Sequence, residues 1–192
     1  MIDAPFPARI HVVGTCGSGK TTLARQLAQA LNYRHVELDA LNWEPGWREA
    51  SDQVFLERVR DATGEAGWVA DGNYARGRPI LWAQRPTVIW LDYSFPLVMT
   101  RVVSRTAHRV LRQEELWNGN RESLRKAFSS DSIVWWALTT YHRRRREYPA
   151  QFARHPELPV IQIRDPAQAE QLLASARGGQ ARPALDVAAH PG

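Results

Sequence analysis

The sequence predicts one α/β domain in which a five-stranded parallel sheet lies between two layers of helices. Three observations predict it. Short β-branched runs alternate with segments whose apolar residues recur at helical spacing, the pattern of parallel strands joined by crossover helices. The run 87–91, Thr-Val-Ile-Trp-Leu, is apolar almost throughout, as a strand buried on both faces must be. The 192 residues, 44% hydrophobic and 23% charged, suit a single domain with a proper core.

The elements follow in order. Residues 9–13, Arg-Ile-His-Val-Val, form a first strand that runs into Gly14. From Lys20 to Leu31, Leu23, Leu27, Ala28, Ala30 and Leu31 share a helical face. Tyr33 to Leu38 is a second strand ending at Asp39. Ser51 offers an N-cap to a helix over 51–62 with Val54, Phe55 and Val59 on one stripe. Gly64 and Gly67 precede a third strand, Trp68-Val69-Ala70, which stops at Asp71-Gly72. After the fourth strand, 87–91, Pro96 fits the first turn of a helix reaching about Arg112. More helix lies within 124–146, then a fifth strand at 159–163 and a helix from Pro166 to Ala176. Residues 177–192 are rich in Gly, Ala and Pro without periodicity and read as a disordered tail to a domain of residues 1–176.

The formal charge of +5 invites an anionic partner, yet the chain has only two lysines, Lys20 and Lys126, so a general preference for Arg explains most of it. With Cys16 alone, an intrachain disulfide and a cysteine-based zinc cluster are excluded. The N-terminus shows no basic-then-apolar leader and no window is long and apolar enough for a membrane span, so the expected compartment is the cytoplasm.

One of the two lysines completes a motif. Gly14-Thr15-Cys16-Gly17-Ser18-Gly19-Lys20-Thr21, followed by Thr22, matches G-x-x-x-x-G-K-[ST] between a strand and a helix. Glycines let the backbone wrap an anion so that successive N–H groups face its phosphates, and the helix start adds its positive end. Lys20 then reaches the β- and γ-phosphates, and the Thr21 hydroxyl serves Mg²⁺. The expected ligand is ATP with Mg²⁺, and the fold becomes the three-layer P-loop NTPase fold. In such a sheet the ligand lies at the carboxyl ends of the strands, where Asp39, Asp71 and Asp92 also fall.

The layout resembles the P-loop nucleoside and nucleotide kinases, with kinship to shikimate- and gluconate-type kinases. It is most similar to the adenylate-kinase-related bacterial proteins labelled topology modulation proteins, on Glu37-Leu38-Asp39-Ala40-Leu41, Asp71-Gly72-Asn73-Tyr74 and 115–121, Glu-Leu-Trp-Asn-Gly-Asn-Arg. The resemblance covers roughly residues 8–175 and implies transfer of the ATP γ-phosphate to a small acceptor, for which a nucleoside monophosphate is one candidate. It implies that Asp71 holds water on Mg²⁺ and that Arg101 and Arg105 bind phosphates, while Asp92 either assists the metal or is a satisfied strand-end carboxylate. The Asp-Gly-Phe-Pro-Arg segment of adenylate kinases is weakened here: the Pro is missing and Arg76 comes one residue late, leaving Arg78 as its rival. Asp39 matches the acceptor- and metal-facing Asp of the shikimate and gluconate kinases.

The helical, Arg-rich segment from about 109 to 146 occupies the place of a lid. Phosphoryl transfer is catalysed largely by electrostatic clamping, and a closing lid excludes competing water. Of the run Arg143-Arg144-Arg145-Arg146, at most two can face one site, and Arg144 is the expected one. Trp117, Trp135 and Trp136 are candidates for stacking on a base, or for core. Two other readings stay open: a nucleotide-regulated nucleic-acid-binding protein, and a toxin-like kinase of a cellular metabolite.

Overall fold

The computed structural model describes residues 6–112, 118 and 133–178, with side chains described for all of these except 109–112 and 133–137. The elements are β1 (Arg9–Gly14), α1 (Lys20–Leu31), β2 (Arg34–Glu37), α2 (Leu38–Asn42), β3 (Trp43–Glu44), β4 (Arg48–Glu49) and α3 (Asp52–Ala62), followed by β5 (Trp68–Asp71), α4 (Arg78–Ala83), β6 (Thr87–Leu91), α5 (Phe95–Arg112), α6 (Ile133–Ala153), β7 (Val160–Ile163) and α7 (Pro166–Arg177). Five strands pair in parallel in the order β2-β5-β1-β6-β7. The central strand β1 therefore carries its following loop at the middle of the sheet's carboxyl edge, flanked by the ends of β5 and β6.

The central strands are buried on both faces, and their side chains split into two cores. Ile10, Val12, Leu23, Leu27, Val98, Val102, Ile161 and Leu172 pack on one face beneath α1, α5 and α7. Val36, Phe55, Val59, Leu81, Trp90, Phe152 and Val160 pack on the other, beneath α3, α4 and α6. Each fully buried side chain of this size contributes roughly 1.5–3 kcal/mol of transfer free energy. This is the expected three-layer arrangement, with all five expected strands present.

Local chemistry sets the helix starts. The Ser51 hydroxyl accepts a hydrogen bond from the Val54 N–H at 3.3 Å, capping α3 as expected. Asp165 caps α7 through the Ala167 N–H at 2.7 Å, with Pro166 next in line. In α6, Pro149 has no N–H to offer the carbonyl of Arg145, which loosens the helix between the arginine run and its last turn.

Four elements fall outside the expectation, α2, β3, β4 and α4, all short. Asp39 is not on a loop but in the first turn of the five-residue α2. The antiparallel ribbon β3–β4 turns through Gly46 and Trp47, both at positive φ. Two-residue strands and five-residue helices are too brief to show a period. Of the expected lid, residues 113–117 and 119–132 lie outside the described residues, as do the side chains of Trp117, Trp135 and Trp136 and residues 179–192 of the expected tail.

Candidate active site

The loop after β1 wraps as its glycines require. Gly17 has φ +79, and a Cβ there would sit 2.2 Å from Cγ2 of Val102 on α5, so no other residue lets the loop and helix approach this closely. Gly19 precedes α1 at φ +90, which turns the chain into the helix. The Ser18 hydroxyl donates to the Thr15 carbonyl at 2.8 Å and bridges the loop. The Lys20 ammonium donates to the same carbonyl at 2.9 Å. Burial pulls the Lys20 pKa down, opposed by the nearby Cys16, Asp39 and Asp71. The Thr15 hydroxyl oxygen and Arg105 Nε are buried and find no hydrogen-bond partner among the described residues, two polar atoms suited to an anion's oxygens.

The ends of the neighbouring strands complete the cradle. Asp71, the last residue of β5, is fully buried. It accepts the Thr21 hydroxyl on Oδ2 at 2.6 Å, and its Oδ1 lies 2.9 Å from His35 Nε2. Thr21 and Asp71 thus present hard oxygen donors side by side. That donor set fits Mg²⁺, which keeps several waters and needs only one or two protein oxygens. Among the described residues no cluster of three or more His, Cys, Asp or Glu forms a site of another kind.

From α5, Arg101 donates to the Ser18 carbonyl at 3.2 Å and lies over the Tyr93 ring, while Arg105 reaches Cys16 Sγ at 3.5 Å. The four-residue spacing puts both guanidinium groups on the loop, since i and i+4 share a helix face. From α6, Arg144 lies close enough to Lys20 and to the Tyr148 hydroxyl for its charge to act on both. These placements bring Arg101, Arg105 and Arg144 together around Gly14–Thr22.

Asp39 faces the same space from α2. Its carboxylate accepts the Tyr74 hydroxyl at 2.5 Å. Burial raises its pKa above the ordinary carboxylate range, against the Tyr74 hydrogen bond and the charges of Lys20 and Arg105. The structure does not bring Asp92 to the metal side. Its two oxygens are taken by Arg145 Nε at 2.7 Å, Arg145 Nη2 at 3.2 Å and Gln162 Nε2 at 2.8 Å, which makes it a satisfied strand-end carboxylate. Arg76 is also spoken for: it donates to Asn42, Asp52 and the Ala50 carbonyl, 4.4 Å from the Phe55 ring centre. Arg78 instead lies over Trp82 and feels the charge of Arg144.

Several site residues escape a reading of the sequence. His35 grips Asp71, and Asn73 pairs with the backbone of Gly14. Beneath them His11 on β1 lies 3.0 Å from the Gly72 carbonyl and accepts the Trp82 indole N–H at 3.1 Å on Nδ1, which leaves Nε2 as the donor to Gly72. The alternation of β2 does put His35 on the same face as Glu37, the register partner of Asp71, and that is the one sequence signal that could have found it.

A phosphate-wrapping loop at the centre of a parallel sheet, a Thr–Asp pair beside it and arginines from two helices define a P-loop nucleotide-binding protein. The sequence matches the AAA domain family over residues 10–125, more than half of the chain, and the protein belongs to that family. It is 31% identical to a shikimate kinase of Synechococcus elongatus over 142 residues, covering 62% of this chain and 73% of that one. A cytidylate kinase of Haloarcula marismortui is 35% identical over 43% of this chain and 55% of its own length. The solved shikimate kinase of Bacteroides thetaiotaomicron shares the fold, with a TM-score of 0.50 at 14% identity over 89% of this chain and 97% of that one. Within the P-loop proteins the chain is of the kinase-like group, a phosphotransferase of the small-molecule type. Among the described residues no helix is long and apolar enough to cross a membrane.

Proposed function

We propose that this protein transfers the γ-phosphate of ATP to a hydroxyl group of a small polar acceptor, in the manner of shikimate- and gluconate-type kinases. The observation that carries the reading is Asp39: a half-buried carboxylate in the first turn of α2, just past β2, hydrogen-bonded by the Tyr74 hydroxyl at 2.5 Å, with a raised pKa and in electrostatic reach of Lys20 and Asp71. A hydroxyl acceptor needs a group to take its proton, and a carboxylate whose pKa is lifted toward neutrality takes it more readily. A phosphate acceptor needs a cation at that place instead, and Arg76, the nearest match to the adenylate-kinase arginine, is bound to Asn42 and Asp52.

In this reading the loop N–H groups and Lys20 hold the β- and γ-phosphates, and Arg101, Arg105 and Arg144 offset the charge that spreads over the transferring oxygens. The acceptor oxygen bonds to the γ-phosphorus as the bond to the β-phosphate oxygen breaks, and its proton passes to Asp39. Mg²⁺, held by Thr21 and, through water, by Asp71, would supply charge neutralisation on the phosphates. Tyr74 keeps Asp39 aimed, and α2 with the β3–β4 ribbon forms the acceptor wall.

A Mg·ATP consumption assay against shikimate-like alcohols, sugar acids, nucleosides and nucleoside monophosphates tests this. Stimulation by a hydroxyl acceptor is the expected result. Stimulation by nucleoside monophosphates alone would overturn the assignment of Asp39, and stimulation by none of these classes would overturn the kinase reading for them. The cytidylate kinase similarity makes the monophosphate arm a needed comparison.

A further inference from the structure

Two separate elements meet at one hydroxyl, and a third is reached through its partner. Tyr148 lies in α6 with only 3% of its surface exposed. Its ring stacks on Phe152 at 5.7 Å and packs on Trp90 at 5.6 Å, so the apolar part of the side chain is accounted for by the core. The hydroxyl is a different matter. It donates to Asn73 Oδ1 at 2.7 Å. The Arg144 guanidinium lies near enough for its charge to act on the phenol.

Asn73 extends the contact into the phosphate loop. The β1–β5 ladder ends at the pair Val12 and Asp71. Two residues further on, Asn73 Nδ2 donates to the Gly14 carbonyl at 2.6 Å, and the Gly14 N–H reaches Asn73 Oδ1 at 3.4 Å. The side-chain amide thus imitates one more rung of the sheet at the first glycine of the loop. Arg144, one helical turn before Tyr148, lies on the same side of α6, near enough for its charge to act on the phenol. The phenol therefore ties α6, which carries Arg144, to the turn after β5 and, through Asn73, to the loop that wraps the phosphates.

We infer that Tyr148 is a positioning residue: through its hydroxyl it docks α6 on Asn73, and through Asn73 on Gly14, so that the helix presents Arg144 to the γ-phosphate end of a nucleotide bound in the loop. This rests on the nucleotide-binding kinase reading above and adds to it the residue that docks the arginine-bearing helix. A tyrosine that served only packing would be replaced by phenylalanine without consequence for ligand choice. A positioning hydroxyl would not.

The test is isothermal titration of the full chain with Mg·ADP and with the Mg complex of the non-hydrolysable β,γ-imido analogue of ATP. Y148F keeps the ring in its stack, and a thermal melt within about 3 °C of the wild type certifies the fold. Y148F is expected to bind the triphosphate analogue about tenfold more weakly, with ADP changed by less than about twofold, the scale of one hydrogen bond to a charged group. R144A is expected to show the same selectivity, and the double variant Y148F/R144A to lose no more than R144A alone. Equal losses for both nucleotides, an unchanged Y148F, or losses that add in the double variant would overturn the inference. A wild-type chain that binds neither nucleotide would overturn the kinase reading with it, so the two failures are distinguishable.

Discussion

The phosphate cradle and the proposed acceptor wall occupy the same edge of the sheet and are built by different means. The cradle is made from consecutive residues, Gly14 to Thr22, whose backbone does most of the binding, with Asp71 brought in on the adjacent strand and tied to Thr21. The wall is made from side chains far apart in sequence: Arg76 bound to Asn42, Asp52 and Ala50, and Tyr74 bound to Asp39. Their carboxylates differ accordingly. Asp71 makes two polar contacts, with Thr21 and with His35, whereas Asp39 has the Tyr74 hydroxyl on Oδ1 and a pKa pushed up by burial. A backbone cradle tolerates any chemistry downstream of it, and in the proposed reading the wall decides what is phosphorylated. That division lets one loop serve kinases with unrelated acceptors.

The sharpest break between the two halves is a loss confined to the cradle. Lys20→Ala removes the ammonium that the loop aims at the β- and γ-phosphates and is expected to lower kcat by roughly 10⁴-fold. Steady-state kinetics with the acceptor found in the panel would measure it. A variant retaining full turnover would end the assignment of Lys20.

The same contrast explains what could be read from the sequence. The loop was legible because its glycines, lysine and threonines are adjacent and each has a chemical reason. Asp39 and Asp71 were legible by position, at the carboxyl ends of strands that show their own pattern. Asp92 stands at such an end too, yet its fate was set by Arg145 and Gln162, 53 and 70 residues away, and no spacing rule reaches that far. Asn73 and Tyr148 meet across 75 residues for the same reason. The Arg101–Arg105 pair was legible since a helix turns spacing into a face. The five-residue α2 and the β3–β4 ribbon were hidden by their brevity, and with them the wall.

A loss confined to the wall should separate activity from stability. Asp39→Asn keeps an oxygen for the Tyr74 hydroxyl but cannot take a proton, so kcat on a hydroxyl acceptor is expected to fall about 10³-fold. Stability moves the other way. Because the folded-state pKa of Asp39 is raised, the folded protein holds its proton more tightly than the unfolded chain, and stability declines as pH rises through the raised value. At neutral pH the buried anion is a cost that Asn removes, so Tm should equal or exceed that of the wild type. Thermal melts beside the kinetics check both. A variant that loses activity and melts lower would mean that Asp39 holds the wall together instead of acting in the chemistry.

The smallest of these effects falls at the seam. His11 sits on β1 below the cradle, and its ring joins the Gly72 carbonyl, where the chain leaves for the wall, to the Trp82 indole on α4. Burial brings its pKa down to about 4 from 6.5. The folded protein therefore binds fewer protons at this site than the unfolded chain between those values. The stability contribution is fully present above pH 6.5 and is lost as pH falls toward 4, by at most about 3 kcal/mol. The first proton to arrive must take Nδ1, which is the atom accepting the Trp82 N–H, so acid cuts the seam on its α4 side. His11→Gln keeps a donor for Gly72 and does not titrate. Urea unfolding from pH 7.5 to 4 should show a shallower loss of stability in this variant than in the wild type. Identical slopes would place the acid sensitivity in the carboxylates of the two halves and leave the seam indifferent to pH.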